Sequence, residues 1–192
     1  MVVMLASELE SSLVSRAQLG DHSAYGELVW RHYPGVVNVV YRMCGDSHLA
    51  EDAAQDAFIQ AWLHLPSYRP QTPLRGWLYR IAINAALDFL RREAATTPHD
   101  IETLTLVSPG PDPEAITIDG ERADQVRRAV MSLPPASRAV LILREYEGFS
   151  YQQTAKALDI PIGTVMSRLN YARQCLRKLL DPQLLQSEVY NE

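Results

Sequence analysis

The sequence predicts an all-α chain of two small helical domains joined by a flexible acidic linker, and three observations carry that prediction. Apolar residues recur at helical rather than alternating spacing through residues 5–93 and again through 121–181. The stretch between them, 94–120, contains four prolines and no lysine or arginine, and no helical period survives across it. Ser150–Leu169 then reads as a short helix, a tight turn and a second helix, with positive charge gathered on and after the second.

The N-terminal domain opens with a helix over Leu5–Leu19, stopped by Gly20-Asp21. A second runs from near Ser23 through Leu28, Val29 and Trp30 to Tyr33, where Pro34-Gly35 is expected to interrupt it. Val36, Val37, Val39 and Val40 are β-branched and could argue for a strand. Their pairing at 36/37, 39/40 and 43/44 is helical, so a helix to Gly45 is the better reading. Ser47 is placed as the N-cap of the next helix, with Glu51 and Asp52 in its early turns and its end near Leu65. Pro66–Pro73 is a loop, and a long helix follows over Leu74–Arg92.

The C-terminal domain offers Glu121–Ser132, Pro135–Glu145, Ser150–Leu158 and Ile162–Leu180, with Gly148 as a break and Ser150/Gln153 as a capping-box pair. Ala155, Leu158, Val165 and Leu169 have the spacing that locks the last two helices together.

The net charge of −5 hides an uneven distribution. Residues 1–92 sum to −1, 93–120 to −6 and 121–182 to +4, so local patches set the field a phosphate meets. A hydrophobic content of 47% with 21% charged residues places the chain among globular proteins. No apolar run approaches the roughly 20 residues of a membrane span, and Glu8 and Glu10 follow the short apolar start at once, so neither membrane insertion nor a signal peptide is expected. Cys44 and Cys175 match no metal spacing and read as buried, inert thiols, in keeping with a cytoplasmic protein.

Three constellations remain. On the last helix Thr164, Ser167, Arg168 and Tyr171 face outward, and between Ile162 and Lys178 there are four basic residues, Arg173 among them, and no acid. A DNA surface explains that one-signed charge better than an ordinary solvated face does. From Tyr68 to Arg92, aromatic residues interleave with Arg69, Arg75, Arg80, Arg91 and Arg92. Arg80 and Asn84, with Asp88 or Arg91, share one face, which suits unpaired bases and their phosphates. Trp77, Leu78 and Ile81 read as core. Asp52, Gln55, Asp56 and Gln60 form a polar stripe backed by Phe58, Ile59 and Trp62. Carboxylates repel phosphate, so any function of this stripe is with a protein. His22, His32, His48, His64 and His99 are scattered, and no catalytic, metal or phosphate-loop pattern is present, so neither enzyme activity nor a cofactor is expected.

Asp52-Ala-Ala-Gln55-Asp56-Ala-Phe58, Trp77-Leu-Tyr-Arg80-Ile-Ala-Ile-Asn84, Leu133-Pro134, Leu143-Arg144, Gly148-Phe-Ser-Tyr-Gln-Gln and Pro161-Ile-Gly-Thr-Val-Met-Ser-Arg-Leu together resemble the extracytoplasmic-function sigma factors of bacteria. The motifs run in family order over almost the whole chain. The resemblance implies a region 2 bundle over 5–93, a linker over 94–120 and a region 4 helix-turn-helix over 121–181. It further implies docking of Asp52, Gln55, Asp56 and Gln60 on core RNA polymerase. Tyr68, Arg69, Arg75, Arg80, Asn84, Arg91 and Arg92 would meet the minus-10 strand, and Thr164, Ser167, Arg168, Tyr171 and Arg173 the minus-35 duplex.

Two positions depart from the family pattern: Asn170-Tyr171 where a basic residue is common, and Pro73-Leu74 where an aromatic often precedes the Trp. The implied partners are bacterial core polymerase, promoter DNA and an anti-sigma factor. The competing readings are a helix-turn-helix regulator acting without polymerase, and a sigma-like scaffold that titrates a partner.

Overall fold

The computed structural model describes residues 2–70, 73–96 and 118–180; all but the two ends of the expected linker lies outside them. The described residues form eight α-helices and no strand. They are α1 (Val2–Gln18), α2 (His22–Cys44), α3 (Ser47–His64), α4 (Leu74–Thr96), α5 (Ile118–Met131), α6 (Pro135–Leu141), α7 (Tyr151–Leu158) and α8 (Ile162–Leu179).

Helix α2 corrects one expectation. Pro34 lies inside an unbroken helix rather than ending it. A proline removes one N–H and crowds the carbonyl four residues earlier, here that of Trp30. Trp30 and Pro34 are both exposed, so water can serve the released carbonyl. Gly35 also has a different use from the expected break: a Cβ there would lie 2.6 Å from the Tyr79 hydroxyl. The missing side chain is what lets α4 approach α2.

The caps are local and mostly polar. Asp21 accepts from the Ala24 N–H at 3.0 Å and opens α2, which Gly45 closes at φ 78 with its N–H on the Tyr41 carbonyl. The N-cap of α3 is Asp46 and not Ser47; the Asp46 carboxylate accepts from the Leu49 N–H at 2.9 Å. A carboxylate there also complements the helix dipole. A single 3₁₀ turn, Leu65–Ser67, leads out of α3, and Gln18 at the end of α1 donates to the Leu65 and Tyr68 carbonyls, both at 3.0 Å. In this way α1 fixes the loop that feeds α4.

In the second half, α6 ends earlier than expected and passes into a π-helical turn over Ile142–Tyr146, with the Glu147 N–H on the Ile142 carbonyl at 3.1 Å. Ser150 and Gln153 form the anticipated capping box at the start of α7. Asp159, at φ 54, makes the left-handed turn between α7 and α8. Val165 and Leu169 are buried there, with Ala155 and Leu158 packed against them.

The two halves are not merely tethered. Ala139, Ile142, Leu143, Phe149 and Ala157 join one buried cluster with Val39, Met43, Tyr79 and Ile83 of the N-terminal bundle. Arg138, 5% exposed, donates to the carbonyls of Met43, Met131 and Leu133. It thereby places a cation at the C-terminal end of α2, where the helix dipole favours one. Burial lowers its pKa, although an arginine stays charged.

Candidate nucleic-acid and protein interfaces

Helix α3 presents Asp52, Gln55, Asp56 and Gln60 to solvent, because Ala50, Ala54, Ala57 and Ala61 take the buried side of the helix. Small residues on that side hold α3 close to its neighbours and leave every long polar side chain outward. Phe58 is buried as expected, but Ile59 is not part of the backing: it is 58% exposed, and Leu63 one turn on is 62% exposed. The surface is therefore acidic, amide-bearing and apolar together. That composition suits protein contact, since apolar area supplies affinity while the carboxylates set orientation. Leu63 went unread in the sequence because helix α3 carries apolar residues on nearly every face.

Asp52, Asp56 and Gln60 also form one wall of a groove of about 940 Å³ whose other wall is Arg80, Asn84 and Arg92 of α4, with Trp77 and Ile81 between them. The stripe and the arginine-bearing face of α4 are thus neighbours across a single groove. Asp88 stands on the α4 wall as well, so the charge there is mixed.

Along the α4 side the candidates divide. Tyr68 is buried, its ring 4.9 Å from that of Trp77, and burial raises its hydroxyl pKa. It supports the loop rather than presenting a stacking face. Arg69 is exposed beside it, donating to the Pro66 and Tyr68 carbonyls. Asn84, Arg91 and Arg92 are exposed, with Arg91 paired to Asp88. Arg75 and Arg80 are engaged by the other half of the molecule: Arg80 pairs with Asp159 at 2.8 Å, and Arg75 donates to the Glu147 carbonyl and lies 4.8 Å over the Phe149 ring. The sequence held no signal for those partners, because nothing local relates residues about seventy positions apart.

On α8, Ser167 and Tyr171 are exposed, and Thr164 and Arg168 half-buried. The Ser167 hydroxyl bonds the Thr164 carbonyl at 3.1 Å, and Arg173 pairs with Glu145 at 2.6 Å. Met166, 54% exposed, belongs to the same face and was not anticipated. An exposed thioether thus stands beside hydroxyls and an arginine on that helix. Of the two thiols, Cys44 is buried and Cys175 half-buried, and neither is in a disulfide.

An acidic and apolar helix face, a helix rich in arginines and a helix-turn-helix thus stand together in one all-helical chain, a combination that suits a transcription-initiation class of protein. Comparison with known proteins gives the family. The chain matches the model of Sigma-70 region 2 over residues 28–96 and of Sigma-70 region 4 over 123–176. It is 35% identical to the RNA polymerase sigma-H factor of Pseudomonas aeruginosa over 190 residues, covering 94% of this chain and 98% of that one. To the ECF RNA polymerase sigma-E factor of Escherichia coli K12 it is also 35% identical, over 88% and 93% of the two chains. A solved structure of CnrH in complex with the cytosolic domain of CnrY is similar at a TM-score of 0.68 and 25% identity, covering 90% of this chain and 97% of that one. The chain belongs to the ECF sigma factors of RNA polymerase.

Proposed function

We propose that the exposed face of α3, with Asp52, Gln55, Asp56 and Gln60 joined by Ile59 and Leu63, is where this sigma factor docks on bacterial core RNA polymerase. In the same reading, the α4 face around Arg80, Asn84, Arg91 and Arg92 and the neighbouring Arg69 and Arg75 hold the minus-10 strand. Helix α8 reads the minus-35 duplex through Thr164, Ser167, Arg168, Tyr171 and Arg173. Residues 5–93 and 121–181 are the two functional domains, and 94–120 is the linker that lets them reach separate promoter elements.

One observation supports this reading above the others: Asp52, Asp56 and Gln60 of α3 lie across one groove from Arg80, Asn84 and Arg92 of α4, with Asp88 among them. A duplex-binding regulator acting alone has no use for such a pairing. A protein that must hold polymerase and an opened strand at once does. Binding energy then drives strand opening, with no bond made or broken by the chain itself. The similar CnrH structure is a complex with another protein's cytosolic domain, and an anti-sigma factor is the further partner in this reading.

The test is run-off transcription with purified core polymerase on a library of promoter fragments. Selective transcripts are expected only when the chain is added. Changing Asp52 and Gln55 to alanine together is expected to abolish core binding while leaving duplex binding by α8 intact. Retained core binding by that variant would remove α3 from the docking surface.

A further inference from the structure

A cavity of about 530 Å³ lies between α2 and α5, and none of its residues has been assigned to polymerase or to DNA. Val126, Val130 and Met131 of α5 give it an apolar wall, and Tyr41 of α2 and Tyr146 of the π-helical turn add their rings. Three arginines line it, Arg42, Arg122 and Arg127, and among the described residues no carboxylate does. Two of these cations are held in place. The Arg42 guanidinium lies 4.6 Å over the Tyr146 ring and 3.5 Å from Glu147. Arg127 donates to the Tyr41 hydroxyl at 3.0 Å and pairs with Asp124 at 3.1 Å. Arg122 is exposed and, among the described residues, makes no ion pair. Glu147 and Asp124 balance the first two cations, so one surplus positive charge stands against an apolar and aromatic wall.

We propose that this cavity binds a small amphipathic monoanion, a flat apolar body carrying one carboxylate. Small-molecule sites of roughly 300–1,000 Å³ pair a mostly apolar lining with a few convergent polar groups, and this cavity has both. Val126, Val130 and Met131 take the body, the thioether adapting to its outline. The carboxylate gives the Arg122 guanidinium the partner it lacks, and its two oxygens fit the planar fork. A cation finds no counter-charge in the lining, and a second negative charge finds nothing left to balance it. Charge therefore decides the class of ligand, and the apolar wall its body. Because α2 belongs to the N-terminal bundle and α5 to the C-terminal half, the bound molecule touches both. Its binding stabilises their joined arrangement by linkage.

The full chain, isotope-labelled, is titrated with naphthalene carboxylate and separately with the neutral naphthalene carboxamide, and amide shifts are followed by NMR. Saturable shifts are expected at Tyr41, Val126, Val130 and Tyr146, with a carboxylate Kd on the order of 0.1–1 mM, as a molecule of so few atoms allows. The carboxamide should bind about three- to tenfold more weakly, through loss of one charge-assisted bond. Arg122→Gln should weaken the carboxylate by the same factor and leave the carboxamide unchanged. Val126→Phe, which fills the apolar wall, should weaken both probes. Arg128→Gln makes the same charge change at an exposed position of α5 outside the lining and should alter neither. Equal binding of the two probes, or shifts confined to another surface, overturns the proposal. So does an absence of binding. If Asp112→Asn with Glu114→Gln then allows the carboxylate to bind, the occupant is the chain's own acidic segment and not a separate molecule.

Discussion

Glu10 and His32 tie α1 to α2 through a 3.0 Å contact, and that hydrogen bond holds the Glu10 carboxyl below its ordinary value of 4.5. A carboxylate depressed on folding contributes stability that is complete above its unfolded pKa and is lost as pH falls through the folded one. Glu10→Gln should therefore lower stability near neutrality, flatten the acid limb of the stability curve below about pH 4.5 and converge with the wild type at the acid end. Thermal unfolding across pH 3–7 measures it. Gly35 offers a second test. The Tyr79 hydroxyl that faces it is pinned by Glu147 and cannot easily withdraw. Gly35→Ala should cost about 1–3 kcal/mol, the usual range for overpacking. Tyr79→Phe in the same chain should return part of that cost, as a double-mutant cycle by chemical denaturation would show. Neither residue announced its role in sequence: Gly35 looked like a helix break because it follows a proline, and its partner lies 44 positions away.

Elements were more legible where their determinants are local. The capping box at Ser150 and Gln153 and the helix-turn-helix seam of Val165 and Leu169 depend on residues a few positions apart, so pattern alone located them. Ser150→Ala should lower stability by about 1 kcal/mol through loss of the cap, and Leu169→Ala by about 2–5 kcal/mol through the cavity it leaves. The larger effect should be accompanied by loss of duplex binding, measured on the same preparations. The misread elements share a cause. Pro34 inside α2 and the π-helical turn after α6 satisfy their backbone groups through solvent exposure or a shifted bonding pattern, and neither leaves a compositional trace. The acidic stripe on α3 was legible as polar, but its exposed Ile59 and Leu63 were not, because apolar residues on a short alanine-rich helix do not reveal which side is covered.

At the scale of the whole molecule, the sequence divides the chain and the structure rejoins it. The shared cluster of Ile142, Leu143 and Phe149 with α2 and α4 makes each half part of the other's interior. One cooperative unfolding transition is expected by calorimetry. Phe149→Ala removes the ring between Arg75 and Tyr79 and should split that transition in two, the N-terminal bundle and the helix-turn-helix melting separately. A single, merely lowered transition would mean that Arg138 and the aliphatic contacts suffice to couple the halves.

The π-helical turn at Ile142–Tyr146 has a consequence for how such a chain can vary in length. A turn closed by a bond five residues apart accommodates one residue more than an α-helix would. Deleting a residue there gives an ordinary helix that rotates everything after it by about 100° relative to α6. The helix-turn-helix would lose its own support, since Val165 and Leu169 pack in one cluster with Val140 and Leu141 of α6. Glu147 would also swing away from Arg42, Arg75 and Tyr79. A single codon lost at this site would thus undo the packing on both sides of the turn at once without changing any residue of α4 or α8.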